Sequence, residues 1–447
     1  MSRPTNPTID PAEAPPARED SGARLPVSRF MSWSWRVFAV TWVAYAGYYF
    51  VRQAFSVAKL GILDDPGVNK VLTEQALGVI DGVYLALYAV GQFLWGACAD
   101  RFGPRIVVIG GMAAAIAASL ALGVGSSLLV FALAMGIQGL AQATGWAPLC
   151  KNMVSFFPVP ERGRIMGLWC SSYAFGGLVA PPFLGWWAYS VFDSWHAAFT
   201  AGAAAMSFTL VLFVVFQRNA PADVGLPAID DDTATSPRND GPAARDTFAL
   251  YRKALRDRMV MTLAVAYFLL KPARYALLLW GPVIVSRRLP EVGMAGATFI
   301  PVSVAVAGIV APMVIGWLSD KVFDSRRIPP LVLSLGLLVV ILVLFMPLTA
   351  TGSAWVMIAV LAVIGLAVYA ADAMIVGVAA VDFGKTAGAG TSTGVINGFG
   401  SVGAILGGLL PGFLSTTTLF YTFAAAACTA GLVLLPHWNR RPQVMAP

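Results

Sequence analysis

The chain has 447 residues, of which 58% are hydrophobic and only 12% charged, with a formal net charge of +7. A soluble domain carries about 25% charged residues, and half that share cannot cover a water-facing surface, so most of this chain must face lipid. The mean hydropathy of +0.73 agrees. The basic excess does not indicate nucleic acid, because it is spread over short loops and not gathered on one face. Cys98, Cys150, Cys170 and Cys428 lie in apolar runs without paired spacing, so neither a disulfide framework nor a metal site is expected. No cofactor is expected either.

Residues 1–32 are rich in Pro, Ala, Arg and Asp without an apolar stretch, and read as a disordered tail and not as a secretory signal. A helix needs roughly 20 apolar residues to cross the bilayer core. Such runs fall at 34–60, 76–99, 105–125, 128–150, 164–187 and 196–217, and again at 259–284, 295–318, 329–349, 354–379, 391–413 and 416–437. The expected fold is therefore an all-α membrane protein of twelve spans, with an N-terminal six-helix half (33–217), a linker (218–258), a C-terminal six-helix half (259–438) and a short tail (439–447). The linker, with Asp230-Asp231-Asp232 and several Pro and Gly, reads as flexible and cytoplasmic.

Loop charge sets the orientation. Loops on the N-terminal side hold Arg101, Arg105, Arg162, Arg164, Arg252, Lys253, Arg256, Arg258, Lys321, Arg326, Arg327 and Lys385, with Arg440 and Arg441 in the tail. Opposite loops are assigned Lys59, Lys70, Arg287 and Arg288, diluted by Asp64, Asp65, Glu74 and Glu291. Both termini are thus expected in the cytoplasm, with the chain in a bacterial inner membrane.

An internal repeat organises the chain. Gly96-Ala-Cys-Ala-Asp100-Arg101-Phe-Gly103-Pro-Arg105 follows the second run, and Gly316-Trp-Leu-Ser-Asp320-Lys321 follows the eighth, their Asp residues 220 positions apart. The Asp can accept bonds at helix N-termini and the basic residues can pair across a gate. This loop resembles the signature of the major facilitator superfamily, whose two six-helix halves are parallel repeats related by a pseudo-two-fold axis around a central cavity.

Charges stranded inside spans mark function in a membrane protein. Arg52 precedes its repeat Asp by 48 residues and Arg274 precedes its own by 46, so the two arginines occupy nearly equivalent positions and should flank one central cavity. Their forked, permanently charged donors suit a phosphate dianion. Asp372 is read as the one deep carboxylate, available as a partner for Lys271, a contact for a substrate amine, or a proton carrier. Lys271, three residues before Arg274, offers either a third positive charge or that partner. Asp81 is read as interfacial, and Asn397 as a residue that can face the cavity.

The segments Tyr45-Ala-Gly-Tyr-Tyr49-Phe-Val-Arg52, Arg274-Tyr275 with Trp280-Gly-Pro282, and Gly145-Trp146-Ala-Pro148 with Glu161-Arg162-Gly163 and Trp169 resemble the organophosphate:phosphate antiporter family. The resemblance spans nearly all of the membrane region. It implies exchange of an organic phosphate for inorganic phosphate by alternating access, with the two arginines as phosphate ligands and Tyr45, Tyr49, Tyr88, Trp146 and Trp169 lining or adjoining the cavity. Two positions depart from the glycerol-3-phosphate exchangers: Gln92 stands where they carry a lysine, and Tyr173 where they carry a histidine. The cavity's positive field is correspondingly weaker, and Lys271 is the candidate compensation for Gln92. The partners implied are an organic phosphate, inorganic phosphate and the lipid bilayer; the protein is expected to act as a monomer and not as an enzyme. The alternatives are a proton-coupled symporter of a carboxylate or phosphonate anion and a membrane sensor of a phosphorylated ligand.

Overall fold

In the computed structural model the described residues are 27–226, 243–324, 326–379 and 389–440. Among them every regular element is helical. Among the described residues nine helices are long and apolar enough to cross a membrane. Three further crossings fall short for identifiable reasons. α1 (Val27–Asp64) carries Arg36, Arg52 and Lys59. The fifth crossing breaks at Cys170 into α6 (Val159–Trp169) and α7 (Ser171–Trp186), and widens into a π turn at Trp187–Val191. The ninth divides between α13 (Ile328–Val343) and α14 (Phe345–Thr349). With α2 (Glu74–Phe102), α3 (Pro104–Val124), α4 (Leu128–Ala143) continuing as α5 (Trp146–Phe156), and α8 (His196–Phe216), these complete the first six crossings. The second six add α10 (Arg258–Arg288), α11 (Gly293–Phe299) leading into α12 (Val302–Lys321), α15 (Ala354–Asp372), α16 (Ala389–Leu409) and α17 (Thr416–Leu434).

Polar residues at the segment boundaries cap these helices. Thr73, Ser127 and Ser415 each accept a bond from a first-turn amide of α2, α4 and α17, and Asp257 accepts from the amides of Met259 and Val260 at the start of α10. Such caps satisfy amides that would otherwise be orphaned at the membrane edge. The stretch expected to be a flexible linker contains a further helix, α9 (Ala243–Arg256), packed against α10 and α16; its run of Ala, Leu and Arg after residue 243 holds no Pro or Gly to stop it. The remaining linker residues 227–242, the tail before residue 27, and Asp382, Lys385 and Arg441 lie outside the described residues.

The two halves meet along α1 with α10, α2 with α16, and α7 with α11 and α12. The α2–α16 crossing is close because a Cβ on Gly408 would lie 2.9 Å from the Cβ of Asp81, a separation only glycine permits. The 102–104, 157–158, 217–226 and 322–324 segments lie on one side, the linker side; the opposite one is the far side.

The halves are joined toward the far side. Pro282 has no N–H for the Leu278 carbonyl four residues earlier. Ser56 of the other half fills the gap, its hydroxyl lying 3.3 Å from Leu278 O and donating to Leu279 O at 2.8 Å. Lys59 Nζ donates to Leu279 O at 3.0 Å and is ion-paired to Asp81. Both side chains of that pair have zero exposure, which corrects two expectations: Lys59 is not a loop residue and Asp81 is not interfacial. α1 runs on to Asp64 and α2 starts at Glu74, so both charges lie inside the bundle, where each can be buried because it has the other. Arg287 at the end of α10 and Glu74 at the start of α2 add an ion pair between the halves. The result is a far-side-closed conformation.

Candidate functional site

Between the halves lies a cavity of about 530 Å³, walled by α1, the α6–α7 crossing, α10, α12 and Tyr369 of α15. It reaches from Arg52 and Arg274 toward the linker side as far as Trp42, Gly167 and Pro312. The repeat-equivalent arginines thus line one cavity, but their surroundings differ.

Among the described residues Arg52 has no carboxylate partner. Its guanidinium stacks over Tyr49 at 4.8 Å and Tyr88 at 5.1 Å, and its Nε donates to Gln142 Oε1 at 3.2 Å. Gln142 is held in that role because its own amide donates to the Tyr48 carbonyl at 3.1 Å. The Nη2 of Arg52 is buried and has no hydrogen-bond partner among the described residues. A buried charged donor without an acceptor is costly, so this group is built for an acceptor that arrives with a ligand.

Arg274 is paired. Its Nη1 lies 2.8 Å from Asp372 Oδ1, and its plane covers the ring of Tyr369 at 4.5 Å. Asp372 Oδ1 also accepts from the Tyr267 hydroxyl at 2.8 Å and stands 3.4 Å from Lys271 Nζ. Lys271 in turn sits against the rings of Tyr267 and Tyr275. Three cations against one carboxylate leave this polar centre a formal charge of +2, which matches a dianion. Gly308 admits Tyr369 to its place, since a Cβ there would meet the ring at 2.8 Å.

Of the other residues singled out in the sequence, Tyr49 and Tyr173 line the cavity. Tyr45, Trp146 and Trp169 form an aromatic wall behind them, with Tyr45 5.3 Å from each tryptophan and Trp146 6.4 Å from Tyr173. Trp169 is fully buried and donates to Thr41 at 3.1 Å. Tyr88 lies over Arg52. Lys271 and Asp372 stand behind Arg274 and not in the cavity wall, while Gln92 and Asn397 are exposed and apart from it.

The signature loops also behave differently from the expected cross-gate pairing. Asp100 binds Lys151 at 2.6 Å, and Asp320 binds Arg327 at 2.6 Å, each pair within one half. The Arg105 amide donates to Asn219 at 2.9 Å and its side chain to the Val214 carbonyl at 2.7 Å. Arg101 covers the ring of Phe102, and Lys321 is exposed. These loops fasten helix ends inside a half, as expected for units that move as rigid bodies.

Sequence reasoning missed Gln142, Tyr275, Tyr369 and the Lys59–Asp81 pair. Tyr275 adjoins Arg274, and Tyr369 precedes Asp372 by one turn, so proximity to a buried charge was an available signal for both. Lys59 lies two turns from Arg52 on α1, and nothing local distinguishes it from a helix-end lysine.

The Major Facilitator Superfamily model matches residues 38–408. The chain belongs to that superfamily. It is an integral membrane transporter and not an enzyme. Among curated proteins it is similar to the "Probable hexose phosphate transport protein" of Chlamydia pneumoniae, 27% identical over 430 residues and covering 92% of each chain. It is 29% identical to the glycerol-3-phosphate transporter of Bacillus subtilis, over 82% of this chain and 83% of that protein. It is 27% identical to the membrane sensor protein UhpC of Escherichia coli, over 92% of this chain and 94% of that one. Solved structures with the same fold include a peptide transporter POT in complex with sulfate (TM-score 0.70, 16% identity, covering 92% and 94% of the two chains). A bacterial homolog of the human lysosomal transporter Spinster, inward-facing and unoccupied, superposes with a TM-score of 0.68 at 14% identity, covering 91% and 95%. The resemblance to organophosphate carriers runs over nearly the whole chain.

Proposed function

We propose that the chain carries a small phosphorylated organic anion across a bacterial inner membrane in exchange for inorganic phosphate, with Arg52 and Arg274 as the phosphate ligands. The observation that carries this reading is the buried, partnerless Nη2 of Arg52 on the wall that also holds Arg274. The names of the hexose-phosphate and glycerol-phosphate relatives support the substrate class. The basic linker-side loops support cytoplasmic termini, so the closed far side faces the periplasm and the cavity faces the cytoplasm.

The asymmetry of the arginines suggests how binding is coupled to movement. A phosphate entering from the linker side meets Arg52 first as a free donor. Its second face then competes with Asp372 for Arg274, and Asp372 stays held by Lys271 and Tyr267. Only a ligand bridging both arginines draws the halves together, so the empty carrier has little drive to reorient. Asp372 serves here as the occupant of Arg274 in the empty state, not as a substrate contact.

The test is equilibrium binding of radiolabelled inorganic phosphate to the purified full chain. Arg52→Gln should weaken it by roughly 10- to 100-fold, the worth of a charge-assisted hydrogen bond. Unchanged affinity would show that the anion does not bind at Arg52. Similarity to UhpC keeps a sensing role as the second reading; a protein that binds phosphate but does not exchange it in vesicles would be that sensor.

A further inference from the structure

The polar and apolar parts of the cavity are segregated. Three of the tyrosines that line it cluster about the charged side chains: Tyr49 lies under Arg52, Tyr369 under Arg274, and Tyr275 beside Lys271; the fourth, Tyr173, stands on α7 against Trp146. Between α7 and α12 the wall is formed mainly by Leu178, Pro181, Val302, Ala305, Ile309 and Pro312. Outside the arginine centre the Tyr173 hydroxyl and the Gln53 amide are the larger polar groups on the cavity wall, while the two serine hydroxyls there are already committed. Ser171 Oγ donates to the Leu168 carbonyl at 2.7 Å and accepts from Trp42 Nε1 at 2.9 Å. Ser56 Oγ is spent on the Leu279 carbonyl of the far-side joint.

A phosphate held at the arginines must place its organic group somewhere in the rest of the cavity. A sugar phosphate brings a hydroxyl on nearly every carbon, and each hydroxyl set against proline, leucine and valine side chains gives up water without regaining a bond. An alkyl or aryl group gives up nothing polar, and gains by leaving water. The cavity volume of about 530 Å³ has room for such a group beyond the phosphate and lies within the usual range of small-molecule sites.

We infer that the substrate is an apolar phosphate monoester or phosphonate, alkyl or aryl, whose organic group lies between α7 and α12, and not a polyhydroxylated sugar phosphate. The inference rests on the reading of Arg52 and Arg274 as phosphate ligands and departs from the substrates for which the relatives are named.

The experiment is displacement of radiolabelled inorganic phosphate from the purified full chain by methyl, propyl, butyl and phenyl phosphate, and by glycerol 3-phosphate and glucose 6-phosphate. Along the alkyl series the competing concentration should fall by about fourfold per methylene, the equivalent of about 0.8 kcal/mol per buried CH2. Phenyl phosphate should outcompete both hydroxylated esters. In Leu178→Asn the affinity ratio of butyl phosphate to phosphate should drop, and Val302→Thr, nearly isosteric, should lower it as well where the first variant does not fold. Glycerol 3-phosphate or glucose 6-phosphate competing better than butyl and phenyl phosphate would overturn the inference while leaving the arginine reading intact. An unaltered ratio in both variants would overturn the placement between α7 and α12. A protein that binds no phosphate would overturn the arginine reading and this inference with it.

Discussion

Arg274 Nη1 lies 2.8 Å from Asp372 Oδ1, whereas its repeat counterpart Arg52 has an amide, Gln142, at 3.2 Å and a buried Nη2 with no partner among the described residues. Two arginines related by the fold's pseudo-symmetry are thus electrostatically unlike: one is ready for an anion and the other must be released to take one. Arg274 and Asp372 are both largely buried, and charge-assisted bonds are the strong ones.

Replacing Asp372 should therefore tighten equilibrium binding. Asp372→Asn removes the competitor for Arg274 and raises the formal charge of the centre by one. Phosphate affinity should rise by roughly tenfold, on the order of 1.4 kcal/mol for one pairing lost in the empty state. Exchange should slow, because no carboxylate is left to displace the bound phosphate from Arg274. Radiolabelled phosphate binding and initial exchange rates measured on the same preparation check both halves of this expectation.

Gly308→Val should disable the site without unfolding the protein. A Cβ at 308 already meets the Tyr369 ring at 2.8 Å, so a branched side chain must push the ring from beneath Arg274 and remove a cation–π contact worth about 1–2 kcal/mol. Phosphate affinity should fall by roughly 5- to 30-fold, with the thermal midpoint in detergent little changed.

The Lys59–Asp81 pair should behave as a unit. Lys59→Met leaves Asp81 buried and unpaired, at a cost of about 3–5 kcal/mol, and Asp81→Asn strands Lys59 in the same way. The Lys59→Met/Asp81→Leu double variant should lose less than the sum of the corresponding single variants. A double-mutant cycle on thermal unfolding reads that coupling. Because Lys59 also donates to Leu279 of the other half, the single variants should raise the reactivity of a cysteine placed near Ser56 toward a reagent added from the far side.

Gly408→Leu should act on the same joint. Its side chain would drive α16 away from Asp81, opening the α2–α16 seam. Faster far-side labelling with weaker phosphate retention is the expected pair of effects, measured by labelling kinetics and binding together.

The sequence carried the twelve-span layout because hydropathy and loop charge are local signals, and the observed crossings agree with the runs to within about seven residues, the helices running past the apolar runs at their ends. α13 and α14, for example, cover 328–349 against an apolar run of 329–349. The repeat placed Arg52 and Arg274 on one cavity by symmetry alone. What escaped was pairing between helices. Lys59 and Asp81 are 22 residues apart on different helices, and each stands near the end of an apolar run, where a charge is normally solvated. Asp372 was visible as a deep carboxylate, but whether Lys271 or Arg274 holds it depends on how α10 and α15 are rotated against each other, and spacing along one helix does not encode that. The break at Cys170 was equally hidden, since the sequence there remains apolar and proline-free.

Counterflow in proteoliposomes preloaded with labelled phosphate tests the proposed exchange most directly. External organic phosphate should drive labelled phosphate out of vesicles bearing the full chain without an imposed proton gradient, and Arg52→Gln should raise the organophosphate concentration needed by roughly tenfold or more. Efflux that requires a proton gradient and ignores external organophosphate, or whose concentration dependence is unchanged by the loss of Arg52, would contradict exchange at this pair of arginines.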